Sequence, residues 1–290
     1  MADLMGFKAV ITAGGVGTRL LPFSKEIPKE MAPILTKNGG NRTIVKPIIQ
    51  AIFEQLYDSN IRDFITIVGR GKRAVEDHFT PDRNFVESLE RKGKKVEALT
   101  SFYDKLASSN LVFVTQSEPL GFGDAVLKAS PYVKGNFLVH AGDTYVISDE
   151  SGYLERLRSA HASFGAEATI LLQDVKDPWQ YGVVLGKEFS EGVVEIREAI
   201  EKPEAFVSNT AIMPIYIFKE SIFDALRKIS KGKGDELQLT DAIQLLISEG
   251  RKVMGVKLTD KDVRLDIGSP ETLIEALRIS TERLAMDGSH

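Results

Sequence analysis

Five apolar, β-branched runs alternate with segments of helical periodicity in the first 175 residues, and this alternation most limits what the chain can fold into. The runs occupy 7–13, 64–69, 111–116, 137–143 and 168–175. Between them, apolar side chains recur at three- and four-residue spacing in 45–58, and 123–130 and 149–164 also read as helices. Strands separated by helices form βαβ units, which build a mainly parallel sheet with helices on both faces. The sequence therefore predicts an α/β fold.

The chain after about residue 180 changes in character. Short strands with some antiparallel character are predicted within 181–186, 192–203, 210–218 and 252–258, and helices over 219–230, 238–249 and 270–286. The charged stretch 83–109 is helical in character and reads as a solvated excursion. Because no linker rich in Pro, Gly or Ser interrupts the chain, we expect a single domain over 1–290, with the part from about 219 to 290 packed onto the central sheet.

The composition excludes several classes of protein. The chain has no cysteine, which rules out disulfides, thiolate catalysis and cysteine-bound zinc. Its net charge of −4 argues against nonspecific binding of nucleic acid through a broad basic face. It has no 18-residue apolar stretch and no signal peptide at the N-terminus, so we expect no membrane insertion and a cytoplasmic location.

A glycine-rich turn follows the first predicted strand, in the stretch AGGVGTRLLPFSKEIPKEM (13–31). Such a turn lets backbone N–H groups approach phosphate oxygens closely, although a tight turn between core elements is the alternative. The stretch is not a P-loop, and a dinucleotide fingerprint beginning at Gly15 would need glycine where Leu20 stands. Arg19 and Lys29 supply positive charge beside the turn. An anionic ligand with phosphate groups is therefore the hypothesis that this stretch favours.

Polar side chains also follow other predicted strands. In open parallel sheets, ligands bind beyond the carboxyl ends of the strands, which places the glycine turn, Gln116 and Asp143 on one rim. Asp266 likewise ends an apolar strand, and one or two carboxylates together with substrate phosphates form a common Mg²⁺ site. Each aspartate alone is more often a turn former or a helix cap. Glu201 and Lys202 offer an acceptor for sugar hydroxyls beside a cation for a phosphate, although EKP is also an ordinary surface turn.

Read in order, these motifs resemble the sugar-1-phosphate nucleotidyltransferase family, and most closely the bacterial-type UTP:glucose-1-phosphate uridylyltransferases. The resemblance is carried by 13–34, 46–55, 75–79, 120–129, 141–143, 201–203, 208–212, 234–243 and 265–271. GVGTRLLP with IPKEM, followed by GDELQLTDAI, is the specific combination. The resemblance implies a Rossmann-like mixed, mostly parallel sheet flanked by helices and a C-terminal extension. It also implies Mg²⁺-dependent formation of UDP-glucose and pyrophosphate from UTP and glucose-1-phosphate.

The resemblance further implies roles for individual residues. The nucleotide base would be held by Ala13, Gly14, Gly15, Gln116 and Gly121, the triphosphate by Arg19 and Lys29, the Mg²⁺ ion by Asp143 and Asp266, and the sugar phosphate by Gly182, Glu201 and Lys202. Arg19, Lys29, Asp143 and Lys202 are the expected catalytic residues, and Glu30 is expected to reach the nucleotide or the sugar. A homo-oligomer, either a dimer or a tetramer, is expected from the resemblance alone.

Three departures from the family pattern bear on substrate preference. The chain carries extra residues over 35–45, Thr144 stands where a second carboxylate is usual, and Asp124 stands where a histidine is common. An enzyme that uses dTTP or another hexose-1-phosphate is therefore an open alternative. A paralogue that binds nucleotide sugars without turnover is a second alternative, and a dinucleotide oxidoreductase is disfavoured by Leu20.

Overall fold

Thirteen strands and nine α-helices lie within the described residues, 3–37, 42–149 and 152–287, of this computed structural model. The strands are β1 (Lys8–Ala13), β2 (Pro33–Lys37), β3 (Thr43–Pro47), β4 (Asp63–Gly69), β5 (Asn110–Gln116), β6 (Phe137–Ala141), β7 (Thr144–Ile147), β8 (Ala168–Asp174), β9 (Gly182–Ser190), β10 (Val193–Glu201), β11 (Thr210–Phe218), β12 (Val253–Lys257) and β13 (Val263–Asp266). The helices are α1 (Ile48–Asp58), α2 (Arg73–His78), α3 (Arg83–Arg91), α4 (Glu97–Ala107), α5 (Phe122–Lys128), α6 (Gly152–Phe164), α7 (Ser221–Lys228), α8 (Leu239–Ser248) and α9 (Pro270–Asp287).

A nine-stranded sheet organises the fold, in the order β5-β4-β1-β6-β11-β8-β12-β10-β9. β10 and β11 run against the other seven strands, so the sheet is mixed but mostly parallel in strand direction. This arrangement confirms the fold class predicted from the sequence. The carboxyl ends of β1, β4, β5 and β6 consequently meet on one rim, where a ligand is expected.

Helices cover both faces of the sheet. Because side chains alternate along a strand, Ala9, Ile11 and Ala13 of β1 pack on one face with buried residues of α1 and α6. Val10 points to the other face and packs with buried residues of α5, α7 and α8. The first strand is therefore buried on both sides, which explains why its sequence is an unbroken apolar run.

Two of the predicted elements differ from the structure. The helix predicted over 45–58 begins at Ile48, because Pro47 disfavours helical geometry in the residue before it, and Thr43–Pro47 instead pairs with β2. The stretch 83–109 is not simply solvated, since α4 buries Phe102 against Phe53 and Phe79. Aromatic packing between residues far apart in the sequence leaves no local signal in a charged segment. The predicted start of the helix over 149–164 includes Glu150, which lies outside the described residues.

Three features of the remaining chain position the candidate site. β13 pairs with β7 in a separate two-stranded sheet, which places Asp266 opposite Thr144. α8 packs on β10, and α9 packs on β2 and β13, where Ser280 Oγ accepts a hydrogen bond from Leu35 N. Part of the extra stretch 35–45 forms β2 and β3, while 38–41 lie outside the described residues. Within the described residues, no helix has the length and apolar character needed to cross a bilayer.

The buried His161 of α6 should make the protein less stable in mild acid. Its Nδ1 lies 3.0 Å from Thr169 Oγ1, and burial, with Lys219 nearby, lowers the pKa of His161 from 6.5 to about 4. The unfolded chain therefore binds the proton that the folded chain excludes, so stability is lost as pH falls from about 6.5 to about 4. This one group should contribute on the order of 3 kcal/mol to that loss.

Urea unfolding at pH 7 and pH 4 of the wild type and of His161→Asn measures this contribution. The asparagine amide can still bond to Thr169 but does not titrate, so the variant should lose less free energy of unfolding between the two pH values. All other titrating groups are common to both proteins and cancel in the difference. Equal losses in both proteins would contradict the assignment.

Candidate active site

The glycine-rich turn follows β1 directly and packs tightly against neighbouring strand ends. A Cβ built on Gly69, at the end of β4, would lie 2.6 Å from Gly14 O, and one built on Gly14 would lie 2.2 Å from Gln116 Oε1. Gly17 has a left-handed backbone (φ 70°), and Ser24 Oγ donates a hydrogen bond to Gly17 O at 2.7 Å. No larger side chain fits at positions 14 and 69 without displacing these neighbours, so the sequence requires glycine there.

Lys29 connects the turn to the end of β6. Its Nζ forms an ion pair with Asp143 Oδ2, and a Cβ built on Gly15 would lie 3.7 Å from the same Nζ. Burial disfavours the charged form of Lys29, but the Asp143 carboxylate outweighs burial and raises the pKa of Lys29 above its ordinary value. Lys29 is therefore a charged ammonium group at neutral pH, beside a turn whose backbone N–H groups suit an anion.

The structure brings Asp143 and Asp266 together, the two residues for which the family resemblance implies a shared metal site. Thr144 Oγ1 lies 3.3 Å from Asp143 Oδ1 and 3.4 Å from Asp266 Oδ1, and Ile267 N donates to Asp143 O at 2.9 Å. Burial favours the neutral form of Asp143, but Lys29 outweighs it and lowers the pKa of Asp143. Burial and repulsion from Asp143 raise the pKa of Asp266. The two carboxylates therefore repel each other, and a divalent cation bound between them would offset that repulsion.

Arg19 lies on the exposed side of this acidic pair. Its Nη2 would lie 3.6 Å from a Cβ built on Gly268, and Asp266 Oδ2 would lie 2.9 Å from the same atom. The Arg19 side chain is exposed, so its guanidinium group can meet a ligand from solvent. Lys29 is thus ion-paired with Asp143, and Arg19 lies near Asp266, so both cations are close to the acidic pair.

Glu30 lies inward from this group. It is 1% exposed, and its Oε2 accepts a hydrogen bond from Lys72 Nζ at 2.6 Å. Burial raises the pKa of Glu30 even though Lys72 opposes the shift. In this structure Glu30 supports the segment that carries Lys29, and its expected contact with the nucleotide or sugar stays a prediction.

A second cluster contains the residues predicted for the sugar phosphate. Glu201 pairs with Gly182 across β9 and β10, and Glu201 Oε2 accepts from Thr240 Oγ1 at 2.7 Å. Lys202 Nζ lies 3.5 Å from Glu201 Oε1, and its side chain is 45% exposed. A Cβ on Gly182 would lie 2.8 Å from Thr240 Oγ1, so this approach depends on glycine. An acceptor and an accessible cation therefore sit side by side, as a sugar phosphate requires.

Arg264 joins the two clusters. Its Nη1 lies 3.9 Å from Asp266 Oδ1, its Nη2 donates to Tyr181 Oη at 3.3 Å, and its guanidinium group lies over the Tyr181 ring. Tyr181 O in turn accepts a hydrogen bond from Lys202 N at 3.0 Å. The predicted metal pair and the predicted sugar-phosphate cation are thus linked through one arginine and one tyrosine.

The predicted base pocket lies at the other end of the turn. Gln116, at the end of β5, is 4% exposed, and its Nε2 donates to Gly121 O at 3.1 Å. Gly121 has a positive φ of 106°, and a Cβ there would lie 2.9 Å from Leu237 N. Ala13, the last residue of β1, is buried beside the turn. The residues predicted for the base therefore lie at the carboxyl ends of β1 and β5 and, for Gly121, at the start of α5, where Gly121 O accepts from Gln116.

Sequence reasoning assigned no role to several residues that hold the site together. They are Lys72, Thr240, Arg264 and, as the partner of Gln116, Asp124. Thr240, Asp124 and the segment next to Arg264 lie within or beside motifs that carry the family resemblance, which is the signal that could have found them. Lys72 lies between two such segments, and only its long-range contact with Glu30 reveals it.

Comparisons with known proteins identify similar sequences and similar structures. The UTP–glucose-1-phosphate uridylyltransferase YngB of Bacillus subtilis strain 168 is 37% identical over 244 residues, covering 82% of this chain and 77% of that protein. The UTP–glucose-1-phosphate uridylyltransferase of Streptococcus pneumoniae serotype 4 is 36% identical over 273 residues, covering 90% and 85%.

Solved structures match nearly the whole chain. The crystal structure of a UDP-glucose pyrophosphorylase complexed with UDP-glucose is similar with a TM-score of 0.82 and 29% identity, covering 98% of this chain and all of the other. A UTP-bound UGPase from Acinetobacter baumannii has a TM-score of 0.79 and 27% identity, covering 99% of both chains. Residues 8–283 match the model of the nucleotidyl transferase family, and this protein therefore belongs to that family.

Proposed function

We propose that this protein transfers a uridylyl group from UTP to glucose-1-phosphate, giving UDP-glucose and pyrophosphate. The observation that carries the proposal is the convergence of Lys29, Asp143 and Asp266 beside the glycine turn. The relatives named UTP–glucose-1-phosphate uridylyltransferase and the UDP-glucose complex of a similar structure support the choice of substrates.

The reaction joins two anions. A phosphate oxygen of glucose-1-phosphate attacks the α-phosphorus of UTP, and a new phosphorus–oxygen bond forms. The bond from that phosphorus to the oxygen bridging the α- and β-phosphates breaks, and pyrophosphate leaves with the electron pair. Because the nucleophile is already ionised, the protein needs to supply alignment and positive charge rather than a general base.

The cations of the site have separate tasks in this mechanism. Arg19 and Lys29 bind the triphosphate and stabilise the departing pyrophosphate, with Lys29 held in place by Asp143. Lys202 offsets the charge of the incoming sugar phosphate, and Glu201, held by Thr240, accepts hydrogen bonds from sugar hydroxyls. These groups lower the barrier because they are oriented before the substrates arrive.

The residues present fit a magnesium ion. Asp143 and Asp266 offer carboxylate oxygens on both sides of Thr144 Oγ1, and a divalent cation would offset the repulsion between the two carboxylates. Within the described residues no group of three His, Cys, Asp or Glu is placed to bind a metal, but Mg²⁺ commonly uses one or two carboxylates with water and substrate phosphates. When bound there, Mg²⁺ would supply charge neutralisation for the phosphate oxygens.

A panel of nucleotides and sugars tests the proposal. Purified protein is assayed for pyrophosphate release with UTP or dTTP against glucose-1-phosphate and other hexose-1-phosphates, with Mg²⁺ and with excess chelator. We expect turnover with UTP and glucose-1-phosphate that the chelator abolishes. Faster turnover with dTTP or with another hexose-1-phosphate would show that this other nucleotide or sugar phosphate is the preferred substrate. Tight UDP-glucose binding without pyrophosphate release would show a binding protein.

A cytoplasmic location and a homo-oligomer complete the proposal. Both come from the sequence and the family resemblance, and a cytoplasmic enzyme would have direct access to UTP. Cell fractionation tests the location, and light scattering on the purified protein measures whether it is a monomer, a dimer or a tetramer.

A further inference from the structure

The side-chain amide of Gln116 is held in one orientation. Its Nε2 donates to Gly121 O at 3.1 Å and to Asp124 Oδ2 at 2.8 Å, and both partners are acceptors. An amide nitrogen has two hydrogens to donate, and a carboxylate only accepts. If the amide were reversed, its carbonyl oxygen would face two other oxygens. The two acceptors therefore require that the amide nitrogen points toward them and that the carbonyl oxygen points away.

The carbonyl oxygen of the same amide faces the glycine turn. Gln116 Oε1 occupies the space that a Cβ on Gly14 would need, at 2.2 Å from that position. Among the described residues, none donates a hydrogen bond to this oxygen. The predicted base pocket therefore presents a hydrogen-bond acceptor, Gln116 Oε1. Its orientation is fixed by the hydrogen bonds that the nitrogen of the same amide donates to Gly121 and Asp124.

Asp124 is the side chain that accepts from Gln116 Nε2 and so fixes the orientation of the amide. It lies in the first turn of α5, is 7% exposed, and has Lys128 Nζ at 3.6 Å from its other carboxylate oxygen. We propose that Asp124 is a positioning residue that fixes the Gln116 carbonyl toward the nucleotide and thereby selects a base with an N–H donor, namely uracil or thymine. This inference rests on the proposed function and adds to it a source of base selectivity.

The selectivity follows from the hydrogen-bonding patterns of the pyrimidines. Uracil and thymine carry a hydrogen on N3 and can donate to the Gln116 carbonyl. Cytosine has a lone pair on N3, so it would face the carbonyl with a second acceptor. A site built to bond one pattern rejects the other strongly because its own polar group is left without a partner. If the amide could turn freely, it would offer its nitrogen to cytosine and this discrimination would be lost.

A purely structural role for Asp124 gives a different result. A carboxylate in the first turn of a helix stabilises the helix. If that were its only role, its loss would weaken the binding of all nucleotides by the same factor. Asp224 provides a matched control, because it lies in the first turn of α7 and pairs with Arg227 three residues later, with a side chain 74% exposed. Asp124→Asn and Asp224→Asn are thus the same chemical change in similar helical positions.

The experiment measures UTP and CTP with the wild type and both variants. Binding is measured by calorimetry without sugar phosphate, and kcat and KM are measured with glucose-1-phosphate. In Asp124→Asn, the new amide can accept or donate, so Gln116 is no longer held in one orientation. We expect the ratio of UTP to CTP affinity to fall about tenfold, with a raised KM for UTP and little change in kcat, since one hydrogen bond to a charged group is lost. Asp224→Asn should keep the wild-type ratio.

The inference would be overturned if the ratio of UTP to CTP affinity were unchanged in Asp124→Asn, whether the two affinities stay at the wild-type values or fall by the same factor. The calorimetric ratio separates this inference from the proposed function. A wild type that prefers UTP in binding but releases no pyrophosphate would refute the proposed reaction and leave the inference standing. A wild type that turns over UTP and CTP equally well would refute the inference alone.

Discussion

Replacing Lys29 with methionine is expected to lower kcat/KM for UTP by about two to three orders of magnitude, the range seen when one preorganised charge partner is removed. Methionine keeps most of the length of the side chain and removes only the ammonium group. That group is ion-paired to Asp143 and lies against Gly15, and its raised pKa keeps it charged at neutral pH. Pyrophosphate release at varied UTP concentrations measures the loss.

The control for this prediction lies four residues earlier in the same segment. Lys25 has a side chain 75% exposed and forms an ion pair with its neighbour Glu26, so Lys25→Met should retain wild-type activity. Removing Lys29 also leaves Asp143 without its cation, which is destabilising for a buried pair. Circular dichroism and thermal unfolding therefore accompany the assay, and Lys29→Arg, which keeps the charge, should recover part of the activity. A fully folded Lys29→Met protein with normal kcat/KM would exclude Lys29 from the site.

The position of the site could be predicted from the sequence, because the carboxyl ends of parallel strands lie at the same edge of the sheet. Each of β1, β5 and β6 is an apolar run that ends in a polar or glycine-containing segment, and parallel neighbours bring those ends together. Periodicity alone thus placed Gln116 and Asp143 beside the glycine turn. The mixed part of the sheet was visible only as a change of character after residue 180, because strand direction there depends on long-range pairing.

The place of Asp266 could not be derived from periodicity. It is 123 positions from Asp143, and the two meet because β13 pairs with β7 in a small separate sheet. Family resemblance supplied that prediction. The supporting partners were missed for a related reason: the bond between Lys72 and Glu30 joins residues 42 positions apart, and a local pattern carries no information about such a contact.

Asp143→Asn is expected to fold and to lose at least about a hundredfold in Mg²⁺-dependent turnover, by analogy with the loss of one preorganised electrostatic group. The substitution keeps the size of the side chain, and its amide oxygen can still accept from Lys29. It removes one of two negative charges that would hold the ion, since Mg²⁺ prefers carboxylate oxygens. Activity measured across a Mg²⁺ titration should therefore show a weaker apparent affinity as well as a lower maximum.

A readout that does not depend on turnover separates metal binding from a general loss of activity. Direct calorimetric titration of Mg²⁺ in the presence of UTP should show weaker binding in Asp143→Asn. Asp260→Asn, at an exposed position just before β13, should behave as the wild type in both measurements. Asp143→Glu keeps the charge but moves it by one methylene, so it should retain Mg²⁺ binding better than Asp143→Asn while remaining impaired in turnover. If Asp143→Asn binds Mg²⁺ and turns over normally, the ion lies elsewhere, and Asp143 serves only to hold Lys29.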